Sequence, residues 1–333
     1  MILVEYSAMK NKFNSIFLEN GVDKDLAEKA AEILTDNTCD GVASHGVNRF
    51  SIIIEYIKKG YIKPNERAEI VSQFGAIKVV DGKFGLGVTN AWYCVEQAMN
   101  AAKEHGIGCV AMRNNNHWMR GATYGLQAAR AGFAAICFTN TIPNMPAWGA
   151  KSASIGNNPL IIAVPNGGSP VLLDMAMSQF SYGKLETTAL NESMLPIDGG
   201  YNKKGELTKD PKEIIESRRI LPAGFWKGSG LSIVLDMLAS VLSGGNTTKD
   251  LGDMPVETGV SQIFIAIDPA AFGDIEIIKG KINSTIAYIK QTEQMADDAE
   301  IYYPGEQSAM RRQENMKNGI PVNEKIWEKI LEL

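Results

Sequence analysis

Apolar residues in the first sixty positions recur every three to four residues, which is the spacing of one face of an α-helix. The pattern predicts a first helix that ends near Gly21 and further helices from about Asp23 to Thr38 and from Arg49 to Lys59. Ser7 is expected to cap the first helix, because a serine side chain can accept a hydrogen bond from a free N–H group there. The chain therefore opens with three short helices.

The pattern changes at Glu69, where short apolar runs alternate with helical stretches, as is typical of an α/β region. Helices are predicted from Thr89 to Glu104, closed by Gly106, and from Trp118 to Arg130. Strands are predicted in the segments EIVSQF, AIKVVD, IGCVAM, FAAICFTN, PLIIAVP, PVLLDMA and VSQIFIAID.

A well-marked helix, GLSIVLDMLASVLS, lies late in this region, and we expect Ser229 to cap it and Gly244 to end it. The stretch from Gly183 to Arg218 is polar and is predicted to be irregular. From about residue 282 the chain becomes mostly helical again. We therefore predict an α/β protein with a central mixed-sheet domain of 76–281 and a discontinuous helical domain of 1–75 plus 282–333.

Composition narrows the class of protein. The 333 residues are 45% hydrophobic and 21% charged, which is ordinary for a globular protein with a sizeable core. The net charge of −5, without a run of Lys or Arg, argues against nucleic acid or an anionic membrane as partner. Neither a signal peptide nor an apolar run of membrane-spanning length is found, and the four cysteines form no C-x-x-C pair. The protein is therefore expected in the cytoplasm with reduced thiols.

Several familiar motifs are missing. The glycine fingerprint of the common dinucleotide-binding fold, a phosphate-binding P-loop and an H-E-x-x-H metal motif do not occur. His45, His105 and His117 are far apart in sequence and lack metal-ligand spacing, so no metal site is predicted.

The segment from Ser44 to Arg49 is the first candidate for chemistry. Gly41 and Gly46 bracket a loop that presents His45 just before a helix, and Arg49 follows four residues later. An imidazole can donate a proton and a guanidinium can bind a carboxylate with two hydrogen bonds, which suits a keto acid. The alternative is a loop histidine bonded to backbone, with Arg49 in a surface ion pair. Spacing alone does not decide between the two.

The segment from Arg113 to Gly121 follows a strand and precedes a helix, a place where α/β proteins bind ligands. It contains three asparagines, His117 and two arginines, which are costly to bury without partners. This density of donors favours a binding site over an asparagine-rich helix cap.

Two further segments are weaker. Trp226 to Gly230 opens a helix with two glycines and Lys227, so it could bind phosphate or be an ordinary helix start. The segment from Asn157 to Ser178 contains two strands flanked by polar residues and by itself indicates only sheet structure.

Taken together, these segments resemble one family. The motifs SHGVNRF, NNNHWMRG, WGAKSASIGNNPL, DMAMSQFSYG and RRILPAGFWKGSGLSIVLDMLASVLSGG are similar to those of the type 2 malate/L-lactate dehydrogenases. The similarity runs nearly from end to end, as far as VNEKIWEKIL. It implies an NADH-binding fold that is not of the Rossmann type, which explains the missing glycine fingerprint. It also implies a homodimer formed through the central region, with active sites near the subunit interface.

The resemblance also implies roles for individual residues. His45 is implied as the proton donor of a nicotinamide-dependent oxidoreductase, with NADH as cofactor and NADPH as a possibility. The residues implied to hold the substrate are Ser44, Arg49, Asn116 and His117. The residues implied to contact the cofactor are Pro170, Val171, Leu172, Leu173, Asp174, Met175, Ala176, Trp226, Lys227, Gly305, Glu306 and Gln307.

The expected reaction is hydride transfer to the ketone of a small sugar-derived keto acid, with Arg49 orienting the carboxylate. A polyol substrate needs many donors, and we expect Asn114 to His117 to supply them. Two alternatives stay open. The substrate could be a simpler 2-oxo acid or a cyclic imine, or the chain could be a nucleotide-binding protein without catalytic activity.

Overall fold

A computed structural model describes residues 1–296 and 299–333 of the chain. Its α-helices are α1 (Tyr6–Glu19), α2 (Lys24–Cys39), α3 (Val47–Lys58), α4 (Gly87–His105), α5 (Ala122–Arg130), α6 (Tyr182–Leu190), α7 (Pro211–Ser217), α8 (Trp226–Ser243), α9 (Thr248–Gly252), α10 (Ile275–Lys290), α11 (Glu306–Asn318) and α12 (Glu324–Leu331). Short 3-10 turns lie at Ala43–His45 and Pro269–Ala271.

The β-strands are β1 (Ile2–Val4), β2 (Glu69–Phe74), β3 (Ile77–Asp81), β4 (Ile107–Asn116), β5 (Ala134–Thr139), β6 (Met145–Pro146), β7 (Ala153–Ile155), β8 (Leu160–Val164), β9 (Val171–Met175), β10 (Gly200–Tyr201), β11 (Leu207–Thr208), β12 (Thr258–Ile267) and β13 (Ile320–Val322). Seven of them form one sheet in the order β2-β3-β4-β12-β5-β8-β9. The pair β3–β4 is parallel and the other neighbours are antiparallel, so the predicted mixed sheet is confirmed.

Helices cover both faces of this sheet. On one face α4 and α5 bury apolar side chains against Val110, Met112 and Phe264. On the other face Leu235 and Ala239 of α8 pack with sheet residues whose side chains point away from α4 and α5. The alternation of side chains along each strand produces these two apolar layers.

A separate apolar cluster joins the two ends of the chain. Phe13 of α1 stacks on Phe50 of α3 with ring centroids 4.1 Å apart. Ile320 of β13 and Ile330 of α12 are buried in the same cluster, and β1 pairs with β13. The helical layer is therefore assembled from both termini, as the sequence predicts. The predicted domain boundaries, 1–75 plus 282–333 and 76–281, stay a proposal, and residues 297 and 298 lie outside the described residues.

Several local predictions are wrong. Ser7 is not the cap of α1, since the cap position is Glu5 and the Ser7 hydroxyl donates to its carboxylate. Ser229 is not the cap of α8, because that helix already begins at Trp226. Gly106, by contrast, ends α4 with a φ of 79°, as predicted.

Two predicted regions have different boundaries. The helix expected from Trp118 begins only at Ala122, because β4 continues through Asn116 in its pairing with β12. The region from Gly183 to Arg218 is not irregular, since α6, β10, β11 and α7 lie largely within it. These elements are short, and α6 and α7 are stabilised by the side-chain caps of Ser181 and Asp210, which apolar periodicity does not reveal.

Candidate active site

The loop that carries His45 is fixed against helix α2. The Asn37 side chain donates to the His45 carbonyl oxygen over 2.9 Å, and the Val47 N–H donates to the Thr38 hydroxyl over 3.0 Å. Gly46 is required here, because a Cβ atom would overlap the Thr38 hydroxyl and the Leu34 carbonyl oxygen. The backbone on both sides of the imidazole is therefore held by helix α2.

The His45 ring faces His117. Their ring centroids are 5.8 Å apart and their planes are inclined by 31°. The Ser44 hydroxyl is 3.0 Å from Nδ1 of His45, so Ser44 engages this nitrogen and leaves Nε2 for another group. The fold thus brings together His45 and His117, which the sequence places in separate segments.

Both imidazoles have lowered pKa values. Burial, together with the nearby His117, Arg49 and Arg120, lowers the pKa of His45 to about 3. Burial and Arg49 lower the pKa of His117 to about 4. These shifts favour the neutral form of both rings at neutral pH.

Arg49 lies in the first turn of helix α3 and is partly buried. Among the residues that the structure describes, no carboxylate lies within ion-pairing distance of its guanidinium group. The surface ion pair considered as an alternative role for Arg49 is therefore not observed in this part of the chain. A cation beside two uncharged imidazoles is suited to bind an anion.

The asparagine-rich segment is organised differently. Asn115 is fully buried and donates to Gln262 Oε1 over 2.8 Å and to the Gly87 carbonyl oxygen over 3.3 Å. Asn114 donates to Asp81 over 2.9 Å. These amides hold the end of β4 against its neighbours. The expectation that they supply donors for a polyol is not supported.

Asn116 is also bonded internally. Its amide group donates to the carbonyl oxygens of Phe84 and Gly85, and its oxygen accepts a hydrogen bond from the Thr258 hydroxyl over 2.8 Å. Both amide hydrogens are used, so Asn116 has no free donor for a substrate. It instead fixes the backbone that leads to His117.

Arg120, at the end of the same segment, is buried in an ion pair with Asp40. The second oxygen of Asp40 accepts a hydrogen bond from Arg312 over 3.0 Å. Arg312 also pairs with Asp36 at 2.8 Å. This network connects helices α2 and α11 with the loop before α5.

Sequence reasoning missed Glu257. Its Oε1 lies 3.6 Å from Nε2 of His117, and its Oε2 accepts a hydrogen bond from the Ile142 N–H over 3.3 Å. Burial raises the pKa of Glu257. A single acidic residue before a predicted strand carries no motif, and only the pairing register of β12 with β4 could have indicated its place.

Most of the residues implied to contact the cofactor are neighbours. Leu172 of edge strand β9 donates its N–H to the Pro304 carbonyl oxygen over 2.8 Å, and Gly305 packs on Leu172. A cavity of about 240 Å³ lies here. Its lining residues are Asp40, Arg120, Leu126, Arg130, Gly168, Ser169, Pro170, Leu172, Gly305, Ser308, Ala309, Arg312 and Gln313.

This cavity fits a phosphate-bearing cofactor. Three arginines and one aspartate line it, and helix α11 begins at its wall without a side-chain cap. Free N–H groups at a helix start and neighbouring guanidinium groups both favour anions. Among the residues that line it, Arg130 lies on the exposed rim.

The start of helix α8 lies apart from this cavity. Trp226 is 64% exposed, and neither it nor Lys227 lines the cavity. The turn is nevertheless close to the end of β9, because Ala223 donates its N–H to the Met177 carbonyl oxygen over 2.8 Å. The strand β9 therefore connects the cavity with the turn that precedes α8.

The described residues contain neither a helix suited to span a membrane nor a cluster suited to bind a metal. None of the helices in this part of the chain has the length and apolarity needed to cross a membrane. Within residues 1–296 and 299–333, no group of three or more His, Cys, Asp or Glu side chains could hold a metal ion.

Comparison with known proteins gives a consistent result. The malate/L-lactate dehydrogenase family matches residues 4–331. The chain is 44% identical to a 2,3-diketo-L-gulonate reductase from Escherichia coli (strain UMN026) and 44% identical to one from Citrobacter koseri, in each case over 98% of both chains. The structure of malate dehydrogenase from Entamoeba histolytica is similar with a TM-score of 0.94, at 26% identity over 99% of this chain and 96% of that one.

Proposed function

The chain belongs to the malate/L-lactate dehydrogenase family of oxidoreductases, and from this premise we propose that it reduces a sugar-derived keto acid with NADH. The proposed reaction is the reduction of 2,3-diketo-L-gulonate to 3-keto-L-gulonate. The observation that carries the proposal is the juxtaposition of His45, His117 and Arg49, in which an anion-binding group lies beside a possible proton donor.

The proposed mechanism assigns each group one task. Arg49 binds the carboxylate of the substrate and keeps the ketone in line. Bound NADH supplies the hydride for the ketone carbon. His45 donates a proton to the ketone oxygen as negative charge develops there, a contribution of about 10²- to 10⁴-fold in rate.

Because burial and the nearby His117, Arg49 and Arg120 lower the pKa of His45, this ring can be the proton donor only if substrate binding raises its pKa. Arg49 is one of the groups that lower this pKa. A substrate carboxylate that pairs with Arg49 cancels its positive charge and places a negative charge near the ring, which raises the pKa of His45. The site therefore takes up a proton together with its substrate, and the general acid forms only in the complex.

The residues that would hold the cofactor are those of the cavity and of strand β9. Pro170, Leu172 and Gly305 would form its walls, and Arg130 would supply positive charge for a phosphate group, since Arg120 and Arg312 are already paired with Asp40 and Asp36. The remaining implied contacts in Val171–Ala176, Glu306 and Gln307 adjoin residues that line this cavity, whereas Trp226 and Lys227 lie apart from it at the start of α8. NADH is the proposed cofactor and NADPH the alternative.

The proposed substrate is supported by the names of the relatives rather than by the asparagine-rich segment. The experiment compares kcat/KM for 2,3-diketo-L-gulonate, pyruvate, oxaloacetate and a cyclic imine carboxylate. Each reaction is monitored by the absorbance of NADH. The six-carbon acid should exceed the others by at least about tenfold, because a site that binds hydroxyl groups loses those contacts with short acids. A higher kcat/KM for one of the short acids would leave the family assignment intact but would reject 2,3-diketo-L-gulonate as the substrate. If none of these compounds is reduced, a non-catalytic role is favoured.

We further propose a homodimer. Helix α8 exposes a stripe of apolar side chains, among them Val234 (57%), Met237 (59%) and Val241 (78%), although the helix is packed on the sheet by its other side. Such a stripe is costly in water and suits a second copy of the chain. Sedimentation at micromolar concentration should give twice the chain mass of 36.2 kDa, whereas an active monomer would contradict the proposal.

A further inference from the structure

Glu257 has no task in the mechanism proposed above, although it lies beside the site. It directly precedes strand β12, whose first residue, Thr258, pairs with Asn116 at the end of β4. The two side chains of that pair are joined by a hydrogen bond of 2.8 Å. In an antiparallel ladder the next residues in each direction are Glu257 and His117, so strand register brings these two together.

The hydrogen bonds of His117 determine which ring nitrogen faces Glu257. The Met119 N–H donates to Nδ1 of His117 over 2.8 Å, so a neutral ring carries its proton on Nε2. Nε2 is the atom that lies 3.6 Å from Glu257 Oε1. At 3.6 Å the carboxylate is too far for a hydrogen bond but within ion-pairing distance, so it can act as counter-ion when His117 is protonated.

The glutamate is itself held in place. Its side chain is 18% exposed against 35% for His117, and its second oxygen is bonded to the Ile142 N–H. Two other ionisable groups interact electrostatically with Glu257. Arg49 lowers the pKa of Glu257, and Glu257 raises the pKa of Tyr56. A largely buried carboxylate that accepts a backbone hydrogen bond gives a neighbouring ring a defined orientation.

We propose that Glu257 is a positioning residue that acts through His117, holding the Nε2 edge of the ring that faces His45 and supplying its counter-charge. The proposal rests on the proposed function in that the His117 ring lies against His45, the proposed proton donor. Glu257 contacts neither the substrate nor the cofactor in this assignment, and its effect on turnover passes through one imidazole.

A double-mutant cycle tests this assignment. The variants are Glu257→Gln, which keeps the volume and removes the charge, His117→Asn, and the combination of both. Glu257→Gln should lower kcat/KM about tenfold in the wild-type background and less than about twofold in the His117→Asn background. The assay uses whichever keto acid of the panel is reduced fastest, so an error in the proposed substrate leaves the test intact.

The same double-mutant cycle can be measured on the free energy of unfolding, which does not depend on turnover. In urea, Glu257→Gln should change the equilibrium constant of unfolding about fivefold or more in the wild-type background. In the His117→Asn background the same substitution should change it less than about twofold. The control is Glu104→Gln, since Glu104 lies 3.7 Å from His105 in an exposed pair outside the site. This variant should leave both kcat/KM and stability unchanged.

The pH profile separates positioning with counter-charge from a merely structural role. Removal of the negative charge disfavours the charged form of the neighbouring imidazoles, so the alkaline limb of kcat/KM, which reports protonation of the proposed donor His45, should move to lower pH by about one unit in Glu257→Gln. Glu257→Asp, which keeps the charge, should move it less. Equal losses in both backgrounds of the cycle, or an unmoved alkaline limb, would overturn the proposal.

Discussion

The loop that carries His45 and the segment from Asn114 to Arg120 are opposite in how they use polar side chains. The second contains more donors, yet its three asparagines and Arg120 are bonded to internal partners such as Gln262 and Asp40. The first contains few, yet Arg49 has no carboxylate partner among the described residues. The segment with fewer donors therefore contains the side chain that is more available to bind a ligand.

The comparison teaches that donor density in a sequence does not measure binding capacity. A buried amide must find partners, and at the end of a strand the nearest partners belong to the protein itself. A cation left without a carboxylate in a partly buried loop is rarer and costs more, so it is the stronger indication of a ligand. The two segments meet at the rings of His45 and His117, whose centroids are 5.8 Å apart.

The largest expected effect is on the His45 loop. His45→Ala should lower kcat by about 10²- to 10⁴-fold, because the proton donor is lost, while NADH binding measured by fluorescence stays nearly unchanged. His105→Ala, at the exposed end of α4, is the matched control. A kcat within threefold of wild type would remove His45 from the mechanism.

Arg49 should show the next largest effect. Arg49→Met removes charge-assisted hydrogen bonds to the substrate carboxylate, each worth about 1.5–3 kcal/mol, so kcat/KM should fall at least about tenfold. Arg113→Met is the control from the other segment, since Arg113 pairs with Asp81 at 3.3 Å. If both variants reduce the keto acid equally well, the contrast between the two segments is wrong.

Much of the fold could be predicted from the sequence. Apolar alternation indicated the sheet strands, and the helical layer built from both termini and the mixed sheet are confirmed. The family is confirmed as well, because its motifs combine uncommon residues in a fixed order. These features depend on patterns repeated over many positions, which tolerate local exceptions.

Single side-chain contacts could not be predicted in this way. Ser7 and Ser229 have the chemistry of helix caps but lie one and three residues inside their helices, since packing set the boundary. Glu257 reaches His117 through the pairing of β12 with β4, which begins with Thr258 and Asn116, 142 residues apart in sequence. Local pattern contains no information about such a register.

The asparagine-rich segment gives a smaller and different effect. Asn115→Ala removes the partner of Gln262 and of Asn90, which donates to Asn115 Oδ1 over 3.1 Å. Buried polar groups left without partners cost about 1–3 kcal/mol, so the free energy of unfolding in urea should fall by that amount. kcat/KM should stay within about threefold. A large rise in KM with unchanged stability would instead make Asn115 a substrate ligand.

The smallest expected effect is the pH dependence of stability that arises from the two facing imidazoles. Their pKa values are lowered in the folded chain to about 3 for His45 and about 4 for His117, against an ordinary value of 6.5. Between these limits the unfolded chain binds more protons than the folded chain, so the stability present above pH 6.5 is lost as the pH falls.

The test is the difference in free energy of unfolding between pH 7.5 and pH 5 for wild type and variants. Carboxylates contribute to the slope of every protein, so only its change on mutation is informative. Because the folded rings resist protonation, His45→Asn and His117→Asn should each flatten the slope, whereas His105→Asn serves as the exposed control. Since the His117 side chain is 35% exposed, water moderates the effect. Slopes that do not differ from wild type would mean that the two rings are hydrated in solution and that their pKa values are not lowered. In that case His45 could be protonated without bound substrate.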